Sequence, residues 1–95
     1  MNLGDVRAVV TGGARGMGRH FAQAFAAEGA NVVFCDVGAE SVAAAASEIG
    51  VKGIAADVSR EDDVERLFAE AEELMGGPVN VLLNNAGILR DGLLV

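Results

Sequence analysis

The residues best suited to chemistry lie in one segment, Thr11-Gly12-Gly13-Ala14-Arg15-Gly16-Met17-Gly18, which joins an apolar run to a helical pattern. A glycine turn between a parallel strand and a helix brings free backbone N–H groups and the positive helix end together. Glycine permits the tight turn, and without side chains a pyrophosphate can reach the backbone. A plain structural turn is the competing reading. The strand-turn-helix setting at the start of a βαβ unit favours the phosphate. Asp36 closes the next apolar run, 18 residues after Gly18. An acid at about that distance accepts hydrogen bonds from ribose hydroxyls and repels a 2′-phosphate, which favours NAD over NADP. Arg15 keeps NADP open, because a guanidinium in the glycine loop can pair with that phosphate.

Such residues need elements that bring strand ends together. Short apolar runs alternate with helical patterns, which predicts βαβαβαβ and a parallel sheet. Strands are expected at Val6–Thr11, Asn31–Asp36, Lys52–Asp57 and Val79–Asn84. Helix one is expected from Gly16 to Glu28, with Met17, Phe21, Ala24 and Phe25 as its apolar stripe. Helix two should run from Glu40 to Ile49. Helix three should follow Ser59 as N-cap, open with Glu61-Asp62-Asp63, and stop at Gly76-Gly77-Pro78. The expected fold is an α/β, Rossmann-like, doubly wound parallel sheet, four strands in order 3-2-1-4 with three helices. Right-handed crossovers then place helices one and two on one face and helix three on the other. Residues 1–95 read as a single domain.

Four motifs in order resemble the short-chain dehydrogenase/reductase family. They are Thr11-Gly12-x-x-x-Gly16-x-Gly18, the acidic end of strand two, Asp57-Val58, and Asn84-Asn85-Ala86-Gly87. The tail Ile88-Leu89-Arg90-Asp91-Gly92-Leu93-Leu94 is most similar to the ketoacyl-reductase branch. The resemblance implies cofactor contacts from Gly12, Arg15, Gly16, Met17 and Gly18, and from Asp36 and Val37. It further implies that Asp57 meets the adenine amino group, that Val58 packs beside the ring, and that Asn85, Ala86 and Gly87 line the adenosine ribose. Asn84 is implied to tie strand four to its neighbours.

The family's catalytic Ser, Tyr and Lys would lie beyond these residues, and the sequence contains no tyrosine. The reading is therefore a minimal NAD(P)-dependent oxidoreductase acting on a carbonyl or enone. Its alternative is a non-catalytic dinucleotide-binding module, or the amino-terminal piece of a longer dehydrogenase. No catalytic residue is assigned. His20 reads as a surface or structural residue and Cys35 as inert core. Arg90 and Asp91 are the polar candidates past the cofactor motif, against a solvated turn. Gly18→Val is expected to remove the cofactor and leave the fold.

Net charge is −7 with no basic run, which argues against nucleic acid and anionic membranes. No metal site is read. The absence of a signal-like start and of a long apolar span, with a lone thiol, predicts a cytoplasmic setting. Strand four is an expected open edge and one sheet face is undercovered, so a homo-oligomer, dimer or tetramer, is expected.

Overall fold

The structure, a computed structural model, describes residues 3–85 of the 95. Readings that fall on Ala86, Gly87 and residues 88–95, including Arg90 and Asp91, lie outside them. A short 3-10 turn at Leu3–Asp5 leads into β1 (Arg7–Thr11), α1 (Gly16–Ala27) and β2 (Asn31–Asp36). These are followed by α2 (Ala39–Ile49), β3 (Lys52–Ala55), α3 (Glu61–Met75) and β4 (Val81–Asn84). The strands are parallel in order β3-β2-β1-β4, as the alternation predicts.

The apolar runs of β1 and β2 are split by the two-residue period of a strand. Val10, Val32 and Phe34 turn to one face and join Ala22, Val42 and Ala45 of α1 and α2. Val9, Val33, Cys35 and Ile54 turn to the other and join Leu67 and Ala71 of α3. Both faces of the central strands are thus dry, which is why they read as continuous apolar runs. Phe34 is fully buried, and its ring fits because its neighbours are glycines. A β-carbon on Gly13 would come within 2.4 Å of Phe34 Cβ, and one on Gly53 within 2.5 Å of Phe34 Cζ.

Three expectations are corrected. Met17 is not core: it is 66% exposed. The buried stripe of α1 holds Gly18 and Ala22, with Phe25 and Ala26 packed against the core, and Met17 sits about 100° around from Gly18. Ser59 is not the N-cap of α3, which is Arg60. The Ser59 hydroxyl instead donates to Asp57 Oδ1 at 2.6 Å, a local bond that competes with capping. Strands β3 and β4 are also shorter than read. Asp57 has turned out of β3 to accept from Ser59, and the Val79 N–H is taken by Glu72 Oε2 at 3.1 Å.

The register aligns Thr11 with Cys35 and with Asn84, and Asp36 with Ala55. Every residue assigned to the glycine turn, Asp36, Asp57 and Asn85 therefore lies at the carboxyl edge. On β4, Leu83 packs against the α1–α2 cluster, whereas Leu82, in register with Val9, is half exposed.

The glycine–Phe34 contact yields a stability test. Gly53→Ala should cost about 1–3 kcal/mol by overpacking, read from urea unfolding. Adding Phe34→Leu, which removes the ring's far end, should cost less in that background than in wild type. Full additivity of the two changes would mean that the ring and strand do not meet this way.

Candidate functional site

The site begins where β1 ends. Gly12 and Gly16 take positive φ, 66° and 62°, a region that disfavours side chains, and this folds the turn back over the strand. Arg15 is the N-cap of α1, in extended conformation and with no side-chain capping bond. The first N–H groups of a helix have no partner inside it. The first turns of α2 and α3 carry Glu40 and Glu61-Asp62-Asp63 respectively, while that of α1 carries no acid. Its positive end is left to whatever anion approaches. Arg15, Gly16 and Met17 are all exposed around it.

The turn is anchored on three sides. The Gly13 N–H donates to the Cys35 carbonyl at 2.9 Å, and the Ala14 N–H donates to Asp36 Oδ2 at 3.1 Å. Just past β4, Asn85 Nδ2 donates to the Gly12 carbonyl at 3.4 Å. The Thr11 hydroxyl donates to Asn84 Oδ1 at 3.1 Å, so Asn84 ties β4 to β1. Gly18 closes the assembly. A β-carbon there would lie 2.2 Å from the Gly12 carbonyl oxygen and 2.8 Å from Asn85 Nδ2. This corrects the expectation for Gly18→Val: the added atoms meet backbone, so the substitution must move the turn as well as fill the approach.

Asp36 is partly buried at the end of β2, and its Oδ1 accepts the Val37 N–H at 2.9 Å. With Oδ2 on Ala14, the carboxylate is held against the glycine turn, and Val37 is 64% exposed beside it. The Ala56 N–H donates to the Asp36 carbonyl at 2.9 Å and carries the edge on to Asp57 and Val58. Val58 packs partly against the α3-side core. The structure therefore brings Gly12, Gly18, Asn85 and Asp36 to one turn, with Asp57 and Val58 farther along the same edge. Ala86 and Gly87 follow Asn85 outside the described residues.

The sequence reading missed the Ala14 N–H as the partner of Asp36, since backbone donors carry no side-chain signal. Among the described residues, no group of His, Cys, Asp and Glu could hold a metal, and no helix is long and apolar enough to cross a membrane. His20 is exposed beside Phe21. A cleft of about 240 Å³ lined by residues including Ala30, Asn31, Lys52 and Leu74 lies at the opposite, amino-terminal end of the strands.

Cys35 is fully buried one residue before Asp36. Burial, with the negative charge of Asp36 in second place, pushes its thiol from 9.0 up to about 11 against the lowering effect of a Gly12 backbone hydrogen bond. A raised native pKa means that the folded state keeps its proton longer than the unfolded one. The associated stability should be intact below pH 9 and lost as pH rises toward 11, by roughly 2–3 kcal/mol. Unfolding curves of wild type and Cys35→Ala across that window check this, and only wild type should show the decline assigned to the thiol.

Residues 6–94 match the family model described as short chain dehydrogenase. An uncharacterized oxidoreductase of Mycobacterium bovis is 47% identical over 88 residues, which cover 88% of this chain and 35% of that protein. A 3-ketoacyl-(acyl-carrier-protein) reductase from Brucella melitensis complexed with NADH superposes with a TM-score of 0.75 at 34% identity, over 82% of this chain and 32% of the other. An RhlG/NADP active-site complex from Pseudomonas aeruginosa gives a TM-score of 0.75 at 37% identity, over 87% and 35%. The chain spans about a third of the length of these relatives.

Proposed function

The chain belongs to the short-chain dehydrogenase family, and we propose that the carboxyl edge of its sheet binds a nicotinamide dinucleotide for reduction of a carbonyl or enone. One observation carries the reading. The amino terminus of α1 has no acid and no side-chain cap, and it sits over a turn whose Gly12–Gly18 approach admits no side chain. That is a fit for a pyrophosphate.

In this reading Gly12, Arg15, Gly16, Met17 and Gly18 surround the pyrophosphate. Asp36 and Val37 meet the adenosine ribose, Asp57 and Val58 the adenine, and Asn85 with Ala86 and Gly87 the ribose from the β4 side. The nicotinamide supplies the hydride when bound, and the chain's own residues hold and orient it against the substrate. NAD is proposed over NADP. The Asp36 carboxylate is fixed against the turn by two backbone N–H groups, where it would repel a 2′-phosphate. The NADH and NADP complexes of the two solved relatives mark both cofactors as within the family's range.

If residues 1–95 act as a minimal enzyme, they hold no tyrosine, and the proton would come from water, from another side chain or from a neighbouring subunit. A second copy is the partner proposed for the β4 side, where Leu82 is half exposed. A second reading is favoured by length. Because the chain spans about a third of its relatives, it also suits the cofactor-binding piece of a longer dehydrogenase, with no chemistry of its own.

Cofactor choice is tested by calorimetric titration with NADH and NADPH. Wild type should bind NADH tenfold or more tightly, the scale set by roughly 1.5–3 kcal/mol for a bond to a charged group. Asp36→Asn keeps an acceptor for the Ala14 N–H but loses the charge, and should narrow that gap. A wild type that prefers NADPH would hand the choice to Arg15. Activity is tested with cofactor deuterated at the transferred position and a panel of ketones and enones. Deuterium in the product supports the minimal enzyme, with a rate lowered by about 10²–10⁴ for want of a general acid. Binding without transfer supports the second reading.

A further inference from the structure

The first turn of α3 uses its acids in a way that the helix alone does not require. An acid at the third helical position ordinarily reaches back to the N–H of the N-cap. Here the N-cap is Arg60, and its N–H already donates to the Asp57 carbonyl at 3.0 Å. Asp63 reaches three residues further, where its Oδ2 accepts the Asp57 N–H at 2.8 Å. Its Oδ1 lies 3.8 Å from Arg66 Nη2, and that same nitrogen donates to the carbonyl of Ala55, the last residue of β3, at 2.8 Å. Glu70 accepts from the other guanidinium nitrogen at 3.3 Å. Exposed ion pairs contribute little, so the two bonds to backbone matter most. They grip the chain at Ala55 and at Asp57, just as it leaves β3.

We infer that Asp63 is a positioning residue for the dinucleotide: with Arg66 it holds the Ala55–Asp57 backbone so that the Asp57 carboxylate is presented to the adenine amino group. This rests on the proposed function, which places adenine against Asp57. The carboxylate of Asp57 is tied to the turn that follows and moves with it as a unit, because Oδ1 accepts both the N–H and the hydroxyl of Ser59, at 3.0 and 2.6 Å. Once the Asp57 N–H loses its acceptor, the peptide can turn and the carboxylate turns with it. No group that touches the cofactor need be altered for adenine recognition to fail.

The test titrates NADH and deamino-NADH, in which a carbonyl replaces the adenine amino group, into the full chain. Wild type should prefer NADH by roughly tenfold or more, the scale of one hydrogen bond to a charged group. Asp63→Ala should bring the ratio of affinities close to one, and Asp63→Asn, which keeps an acceptor oxygen, should restore most of it. Without cofactor, amide exchange at Asp57 should quicken in Asp63→Ala while Val9 and Val10 stay protected. A wild-type ratio in Asp63→Ala overturns the inference and leaves the proposed function standing. A wild type that binds NADH but does not distinguish it from deamino-NADH also overturns the inference, by removing the Asp57 contact. A wild type that binds neither dinucleotide removes the proposed function and the inference with it. Should Asp63→Ala fail to fold, Asp63→Ser, whose shorter side chain does not span to the Asp57 N–H, takes its place: a ratio near one is expected, and a wild-type ratio overturns the inference.

Discussion

The Gly12 carbonyl and the α-carbon of Gly18 meet with no room between them for even a methyl group. That contact seats the first turn of α1 directly over the end of β1. It also sets where the remaining pieces attach. Asn85 donates to the same carbonyl from just past β4, and the Thr11 hydroxyl beside it reaches Asn84. On the other flank, Gly13 and Ala14 bond to Cys35 and Asp36 of β2. Three strands thus converge on one glycine turn, at the point where the chain order of the sheet reverses between β1 and β4. Ligands of open α/β sheets collect at such points.

Charge is arranged around the same turn. The chain carries a net −7, yet the first turn of α1 has no acid. The nearest carboxylate tied to the turn is that of Asp36, and it is occupied by backbone N–H groups on both oxygens. A partially positive helix end beside a fixed anion suits a ligand that brings phosphate to one and hydroxyls to the other. Along the edge, Asp57 is held in a comparable way by Asp63. The two carboxylates proposed to meet the adenosine are each set by bonds involving backbone N–H groups rather than by rotamer preference alone.

Sheet order and the two-sided core are legible in the sequence because β1 and β2 are apolar at consecutive positions, which only strands buried on both faces require. The glycine turn is legible for a similar reason, since close backbone approach leaves a direct mark in residue type. Met17 misleads because an apolar residue at helical spacing reads as core, and only the position of the helix on the sheet reveals that it faces outward. Ser59 misleads because its hydroxyl suits a cap and a local turn equally well, and the turn at Asp57 wins. The grip of Asp63 on Asp57 is not legible. In sequence it is one of three acids favoured at a helix start by the dipole, and its partner is a backbone N–H that only the folded turn brings near.

The proposed dinucleotide lies along the carboxyl edge, with its pyrophosphate at the amino terminus of α1. Amide chemical shifts of the isotope-labelled chain, followed as NADH is added, test this directly. Saturable shifts are expected, concentrated at Gly12, Arg15, Gly16, Met17 and Gly18 and extending to Val37, Asp57, Val58 and Asn85. Shifts centred instead on Asn31, Lys52 and Leu74, around the cleft at the opposite end of the strands, or no saturable shift at all, would contradict it.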